Sequence, residues 1–322
     1  MLDRRNDNLK KFMRELLIII ILISTLAAVP TKGVSADCLS AVPQAQSAVF
    51  AYTLNLMNIA GAAIKTPDMV YPHYLRENYK RYHEYHDKNP GMPFSRVIAY
   101  VNAGVDLVPY ADITIVSDPE SIAVMMNKNF SLPLGYEPED MVDIGGGHLM
   151  REEAAEHFLR MKEDITTLGY RLHIVITYRP YQQQARRFND AQARSGTAAA
   201  ERQFARPGHS DHQTGLALDF LDRAWSDHMS YAKFENTGVY AWLCENAYKY
   251  GFILRYPRNY GQIHGFIYEP WHWRYVGEEI ATAMYEQGID VFEEYYGKYL
   301  APGVVERWEK EHTVDNWRSW MQ

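Results

Sequence analysis

Two histidines and two aspartates stand close together in one short stretch, HSDHQTGLALDF, residues 209–220. His212 precedes the glycine of this stretch, and Asp219 falls within an apolar alternation that is typical of a half-buried strand. A buried carboxylate costs free energy unless it is paired, hydrogen-bonded or bound to a metal. The stretch is therefore either a polar turn before a strand or one half of a metal site.

A second polar group lies downstream in the aromatic stretch EPWHWRYVG, which contains Glu269 and His272. Together, His212, Asp219 and His272 would offer two imidazoles and one carboxylate, with a fourth position left for water. That is the ligand count of a catalytic zinc site rather than a structural one. Glu269 could then act as a general base without being a ligand. Alone, His212 would be read as a hydrogen-bonded polar histidine; the second group favours the metal site.

Arg179 directly follows the predicted strand HIVITY and precedes a helical pattern, so its side chain could reach a cleft at the end of the strand. A fixed guanidinium there could hold a developing oxyanion or a substrate carboxylate. The alternative is an ordinary surface arginine. His209 is a further candidate ligand, although a place at the rim of the site suits it better.

Short helices and strands that alternate along the chain must position these groups. Apolar residues at 154, 155, 158, 161 and 165 predict one helical face, which ends near Gly169. YQQQARRFNDAQAR and VYAWLCENAYKYG predict two more helices, whereas YRLHIVITY, LALDF, FILRY, GFIYE and WHWRYV predict strands. Connections of hairpin length favour an α+β fold with a small, largely antiparallel sheet flanked by helices.

The N-terminus predicts export from the cytoplasm. A charged segment precedes an apolar run at residues 16–29 and small residues near position 36, as in a secretory signal, while an uncleaved membrane anchor is the alternative. The run is shorter than the roughly 20 residues of a membrane-spanning helix. We therefore divide the chain into a signal or anchor (1–36), a helical region (37–114), a catalytic domain (115–285) and a helical appendage (286–322).

The net charge limits the classes of binding partner, and the two cysteines raise the question of a disulfide bond. Without residues 1–36 the chain has 27 basic and 37 acidic residues, and this net charge of −10 argues against nucleic acid as a partner, because nucleic acid rewards a basic surface. Membrane contact is expected only through the apolar N-terminal segment, if that segment is not cleaved. Cys38 and Cys244 could pair in an oxidising compartment. Because Cys244 lies in an apolar helical pattern, a buried free thiol is the favoured prediction.

Four ordered segments resemble one family. SDHQTGLALD and EPWHWRYVG match the two metal-site motifs of the VanY-type zinc D-Ala-D-Ala carboxypeptidases, and YRPYQQQ and WLCENAYKYGFILRYP resemble the stretches around them. MNKNFSLPLGYEPEDMV resembles the segment by which the family's domain begins. The resemblance covers about residues 115–280, and it implies the hedgehog/D-Ala-D-Ala-peptidase-like form of the α+β class.

The resemblance also implies a role for each matching residue and a peptidoglycan stem peptide as the substrate. Zinc would be bound by His212, Asp219 and His272. Glu269 would activate water and protonate the leaving amine, and Arg179 would stabilise the oxyanion. The substrate peptide and its terminal carboxylate would be held by Ser210 and Gln184.

Three residues outside the predicted metal set depart from the family pattern: Pro180 replaces a serine, Asp211 a glutamate, and His264 a threonine. Removal of the terminal D-alanine from the stem is the first expectation. An L,D-carboxypeptidase, an endopeptidase that cuts cross-links and a non-catalytic wall-binding module are the alternatives. A binding module would need neither Glu269 nor Arg179, which argues against it.

Overall fold

The structure, a computed structural model, describes residues 67–223 and 231–311. The chain divides into two compact units between Val70 and Tyr71. In the first unit only helix α1 (Pro67–Val70) is described. Two predicted segments lie outside the described residues: the leader and residues 37–66 of the helical region, which include Cys38. No helix in the described ranges has the length and apolar character needed to cross a membrane.

The second unit begins with two helices, α2 (Tyr79–Lys88) and α3 (Phe94–Asn102). Strand β1 (Thr114–Ile115) then pairs in parallel with β2 (Phe130–Ser131). A hairpin of β3 (Met141–Asp143) and β4 (Leu149–Arg151) turns through the three glycines of DIGGGHL, all with positive φ. Helix α4 (Glu152–Thr167) buries all five apolar positions of the predicted face, which confirms that helix.

The site is built from the elements that follow. They are β5 (Leu172–Ile176), α5 (Tyr181–Ser195), α6 (Thr197–Gln203), β6 (Ala217–Asp222), α7 (Gly238–Asn246), β7 (Phe252–Leu254), α8 (Gly261–His264) and β8 (His272–Tyr275). Three helices complete the described chain: α9 (Glu278–Gln287), α10 (Phe292–Tyr299) and α11 (Pro302–Glu311). Short 3₁₀ turns join several of them, and the turn Asp211–Thr214 precedes β6.

The central sheet has four antiparallel strands in the order β5-β6-β8-β7. This arrangement confirms the predicted α+β class and the largely antiparallel sheet. The predicted strand GFIYE is wrong, because residues 265–269 form an irregular segment. Its backbone makes single hydrogen bonds, from Ile267 to the carbonyl of Arg202 and from Glu269 to that of Tyr256, instead of a ladder.

The sheet packs against helix α4 through an aromatic core. Phe158 of α4 contacts Phe220 and Phe252, and Phe220 stacks on Trp273 of β8 with 6.3 Å between the ring centroids. All four side chains are buried. These rings fill one side of β6, β7 and β8. The polar residues that alternate with them therefore lie on the other side of the sheet, and those that precede them lie at the strand ends.

The C-terminal helices share a core with the rest of the second unit. Gly297 of α10 lies so close to the backbone of Ala99 in α3 that a β-carbon there would meet the carbonyl oxygen at 1.8 Å. Phe292 and Tyr296 of α10 pack with Met125 and Ile253. The predicted boundaries at 114/115 and 285/286 therefore run through one packed unit, and the division into those domains stays a prediction.

The prediction of a buried thiol at Cys244 is wrong, because Cys244 is exposed. Helix α7 turns Val239 and Leu243 into the core. Residue 244 is about 100° further around the helix than Leu243, which places it on the outer side. Pairing with Cys38 stays open, since Cys38 is outside the described residues.

Candidate active site

The three predicted metal ligands meet in one buried cluster. One ligand atom each from His212, Asp219 and His272 lies within 4.8 Å of the other two. Asp219 Oδ1 is 3.3 Å from His212 Nε2 and 3.0 Å from His272 Nδ1. The two imidazole rings cross almost at right angles, with their centroids 4.7 Å apart. Side chains from distant parts of the sequence therefore converge on a single point.

Strand register places two of these ligands side by side. Asp219 of β6 is the direct pairing partner of His272, the first residue of β8. His212 reaches the same point from the 3₁₀ turn before β6, and its Nδ1 lies 2.8 Å from the carbonyl oxygen of Thr177. Donation from Nδ1 to that carbonyl leaves Nε2 with a lone pair directed at the cluster, as in many histidine ligands of metals.

The cluster fits a divalent cation. Asp219 Oδ1 is buried, and among the described residues it accepts no hydrogen bond of good geometry, although two imidazole nitrogens face it. Burial raises the pKa of Asp219, but the adjacent His212 and His272 outweigh it, and the pKa falls below its ordinary value. Burial and the nearby Arg179 lower the pKa of His212 to about 4. Anionic carboxylate and neutral imidazole are the forms that bind zinc.

Glu269 lies beside the cluster without being part of it. Its Oε2 is 3.8 Å from Nδ1 of His272, and the side chain is largely buried. Burial, followed by the charge of Asp219, raises the pKa of Glu269 well above its ordinary value. A carboxyl group in this position can take up a proton and release it again, which is what a general acid–base residue must do.

Arg179, Gln184 and Ser210 form a second buried group in the same pocket. Arg179 Nε donates to Gln184 Oε1 at 2.5 Å, and one terminal nitrogen lies 3.4 Å from Ser210 Oγ. Gln184 Nε2 donates in turn to the carbonyl of Ala205 at 2.5 Å. Burial lowers the pKa of Arg179 to about 10, so that it stays charged at neutral pH. Gln184 thus fixes Arg179, and its predicted contact with substrate stays a prediction.

A buried ion network supports the cluster from behind, and sequence reasoning missed most of it. Asp211 accepts hydrogen bonds from Arg274 and from the hydroxyl of Tyr256, and its Oδ2 is 3.3 Å from Nε of Arg255. Arg255 also forms a two-pronged ion pair with Glu293 at 2.7 and 3.0 Å. The two arginines and two carboxylates balance in charge.

This network faces the predicted metal ligand His272. Asp211 Oδ2 lies 4.0 Å from Nε2 of His272, the ring nitrogen that points away from the cluster. A carboxylate behind a histidine ligand favours the orientation in which the other nitrogen binds the metal. The family motifs contain both arginines, yet nothing in their spacing indicated that Asp211 and Glu293 would be their partners.

An open pocket of about 290 Å³ joins all the predicted site residues. Aromatic and apolar groups form much of its wall, among them Phe204, Tyr231, Phe266 and Trp271. His209 is buried outside the metal cluster, with Nδ1 at 3.0 Å from the carbonyl of Asn127. A pocket with an apolar wall and a few converging polar groups is typical of an enzyme active site.

The mixed fold and the His–Asp–His cluster with an adjacent glutamate define a zinc metallopeptidase. The family model for VanY, D-alanyl-D-alanine carboxypeptidase, matches residues 147–278. In addition, a relative that is 36% identical is matched over 77% of its own length. The chain therefore belongs to this family.

Two relatives and one solved structure illustrate the similarity. The putative carboxypeptidase YodJ of Bacillus subtilis (strain 168) is 36% identical over 214 residues, 64% of this chain and 77% of YodJ. The bifunctional D-Ala-D-Ala dipeptidase and carboxypeptidase VanXYC of Enterococcus gallinarum is 32% identical over 56% of this chain and 95% of its own length. The LdcB LD-carboxypeptidase structure is 36% identical, with a TM-score of 0.54, over 58% of this chain and 90% of LdcB.

Proposed function

We propose that this protein removes the C-terminal D-alanine from peptidoglycan stem peptides that end in D-Ala-D-Ala, outside the cytoplasm at the cell envelope. One observation carries the proposal: a metal-ligand cluster, a buried carboxyl group and a buried guanidinium line the same pocket. The family description supports the D-Ala-D-Ala specificity. The apolar run at residues 16–29 supports the location, either as a cleaved signal or as an anchor.

The side chains divide the work of amide hydrolysis. His212, Asp219 and His272 would hold zinc, which when bound lowers the pKa of a coordinated water and polarises a substrate carbonyl. Glu269 accepts the proton of the attacking water and returns it to the leaving amine. The charge of Arg179, fixed by Gln184, stabilises the negative charge that develops on the carbonyl oxygen. Ser210 Oγ, beside Arg179, binds the substrate backbone or its terminal carboxylate.

A second candidate is an L,D-carboxypeptidase, which would remove D-alanine from the tetrapeptide stem. The similarity to LdcB, an LD-carboxypeptidase with a TM-score of 0.54 to this chain, supports it. The two candidates share the metal site and the base. They differ in the configuration of the residue before the scissile bond.

Release of D-alanine from defined stems separates the candidates. The purified zinc-loaded protein is incubated with pentapeptide and with tetrapeptide stems, with a chelator, and with zinc restored after chelation. Release from the pentapeptide that stops with chelator and returns with zinc is the expected result. Release from the tetrapeptide alone would establish the second candidate. Zinc binding without release from either stem would leave a wall-binding module and contradict both enzyme proposals.

A further inference from the structure

A second cation stands in the wall of the active-site pocket, and neither the metal site nor the proposed hydrolysis uses it. Arg187 lies on helix α5, on the same helix as Gln184, and lines the pocket together with Arg179 and Glu269. Its side chain is exposed, whereas Arg179 is buried. Arg187 therefore occupies the mouth of the pocket and Arg179 its interior.

The guanidinium of Arg187 is held in place by an aromatic ring. It lies over the ring of Phe204, 5.0 Å from the ring centroid. Across residues 67–223 and 231–311, no carboxylate forms an ion pair with it. Its charge acts on Glu269 in the same pocket, where it opposes the rise in pKa that burial causes. By contrast, Arg206 is paired with Glu201. An arginine that is positioned by an aromatic ring, and that has no ion-pair partner in the described part of the chain, is suited to an anion on a ligand.

The direction of the substrate decides which part of it meets this cation. A carboxypeptidase takes up the C-terminus of its substrate, so the terminal residue lies inside, near Arg179, Ser210 and Glu269. The rest of the peptide must leave through the mouth of the pocket. Arg187 at the mouth therefore faces the residues that precede the scissile pair, while Phe204, Tyr231 and Trp271 offer apolar surface to the same segment.

We propose that Arg187 is a specificity residue that selects peptides with a free carboxylate on the side chain of the residue before D-Ala-D-Ala. This inference rests on the proposed function. Among stem peptides, a diaminopimelate residue in the third position has such a carboxylate, and a lysine residue lacks it. The protein would thus prefer diaminopimelate-containing stems and work poorly on lysine-containing ones.

Three acetylated tripeptides isolate the charge of that one residue. They share the form acetyl-X-D-Ala-D-Ala, where X is L-α-aminoadipate, L-norleucine or L-lysine, so that only the end of the side chain differs. For the unaltered protein we expect kcat/KM to fall in the order aminoadipate, norleucine, lysine. A step on the order of tenfold between the first two corresponds to one charge-assisted hydrogen bond at an accessible site. The difference should appear mainly in KM, because the contact is remote from the reacting atoms.

Variants of Arg187 then assign the preference to this residue. In R187L, kcat/KM for the aminoadipate tripeptide should fall to the value for the norleucine tripeptide. In R187E, the lysine tripeptide should have the highest kcat/KM of the three. R186L is the matched control, because Arg186 is exposed on the same helix and does not line the pocket. It should keep the order of the unaltered protein.

Two results would overturn the inference. If R187L lowers kcat/KM by the same factor for all three tripeptides, Arg187 meets a group that they share, such as the terminal carboxylate. If R187L and R187E leave the order unchanged, the cation has no part in selection. Calorimetric binding of the tripeptides to the zinc-loaded E269Q variant tests the charge order without turnover. Equal affinities of this variant for the three tripeptides would contradict the inference. The absence of D-alanine release by the unaltered protein would instead contradict the proposed function.

Discussion

At the scale of single residues, the predicted base lies apart from the predicted metal ligands. Glu269 lies 3.8 Å from His272 Nδ1 but is not part of the cluster formed by His212, Asp219 and His272. Its carboxyl group can therefore change its protonation state without the loss of a ligand. The same separation makes the two functions accessible to separate measurements.

The change E269Q should remove turnover and leave the metal in place. Glutamine has nearly the shape of glutamate but cannot take up the proton, and general acid–base catalysis typically contributes about 10²–10⁴-fold. Release of D-alanine from the pentapeptide should fall by at least about 100-fold, while zinc content measured by atomic absorption stays at that of the unaltered protein. Full activity of the variant would show that another group is the base.

Acid should weaken the fold through His264, which is almost completely buried. The backbone N–H of Phe266 donates to its Nδ1 at 3.2 Å, and Nε2 donates to the carbonyl of Pro257 at 3.2 Å, an arrangement that fits only the neutral ring. Burial lowers the pKa of His264 to about 4 from an ordinary value of 6.5. Between those values the unfolded chain binds more protons than the folded chain, so stability falls as the pH drops from 6.5 towards 4.

The variant H264Q tests this contribution, which amounts to roughly 3 kcal/mol at the acid end of the range. Urea unfolding at pH 7, 6, 5 and 4 should show a smaller loss of stability on acidification in the variant than in the unaltered protein. The slope with pH is compared rather than the absolute stability, because the substitution has its own constant cost. Equal slopes in the two proteins would exclude His264 as the source.

At the scale of elements, pairing between strands and one buried ion network bring the site together. The register of β6 and β8 sets Asp219 opposite His272. Arg255, directly after β7, connects Asp211 next to the metal ligands with Glu293 of α10. Helix α10 is therefore tied to the floor of the active site by charge as well as by apolar packing.

Loss of one charge from this network should destabilise the whole unit. E293Q removes the partner of a fully buried guanidinium, and breaking a buried ion pair typically costs about 3–5 kcal/mol. The control is E278Q, the same chemical change in an ion pair with Arg160 in which both side chains are about half exposed. It should cost less than about 1 kcal/mol. Equal midpoints of urea unfolding for the two variants would mean that the network contributes little.

At the scale of the molecule, the metal joins segments that are far apart in the chain. His212 precedes the central strand β6 and His272 begins β8, with α7, β7 and α8 between them. A cation that binds this folded arrangement and not the unfolded chain stabilises the fold by mass action. Metal content and thermal stability should therefore change together.

Chelation should lower the melting temperature, and added zinc should restore it. At free zinc about a thousandfold above Kd the gain is about 4 kcal/mol, which corresponds to a shift of roughly 10 °C for a chain of this size. The variant H272A should melt at the same temperature with chelator and with zinc. A full zinc response in H272A, measured by scanning calorimetry, would place the metal elsewhere.

Much of the architecture follows from local patterns. The apolar spacing of residues 154–165 predicts α4, and alternation predicts β5 and β6, because burial of one face imposes a period on the sequence. The errors have equally local causes. GFIYE has the composition of a strand but finds no partner strand, and Cys244 lies one position beyond the buried stripe of its helix.

The sequence by itself determined the family and predicted the ligand set and the base, since residue type and short spacing suffice to indicate that chemistry. Only the tertiary structure decided that Asp219 pairs with His272, that Asp211 and Glu293 balance two buried arginines, and that Arg187 stands at the mouth of the pocket. These relations join residues that are distant in the chain. Their energies depend on burial and on distances between atoms, which arise only when the strands and helices have packed together.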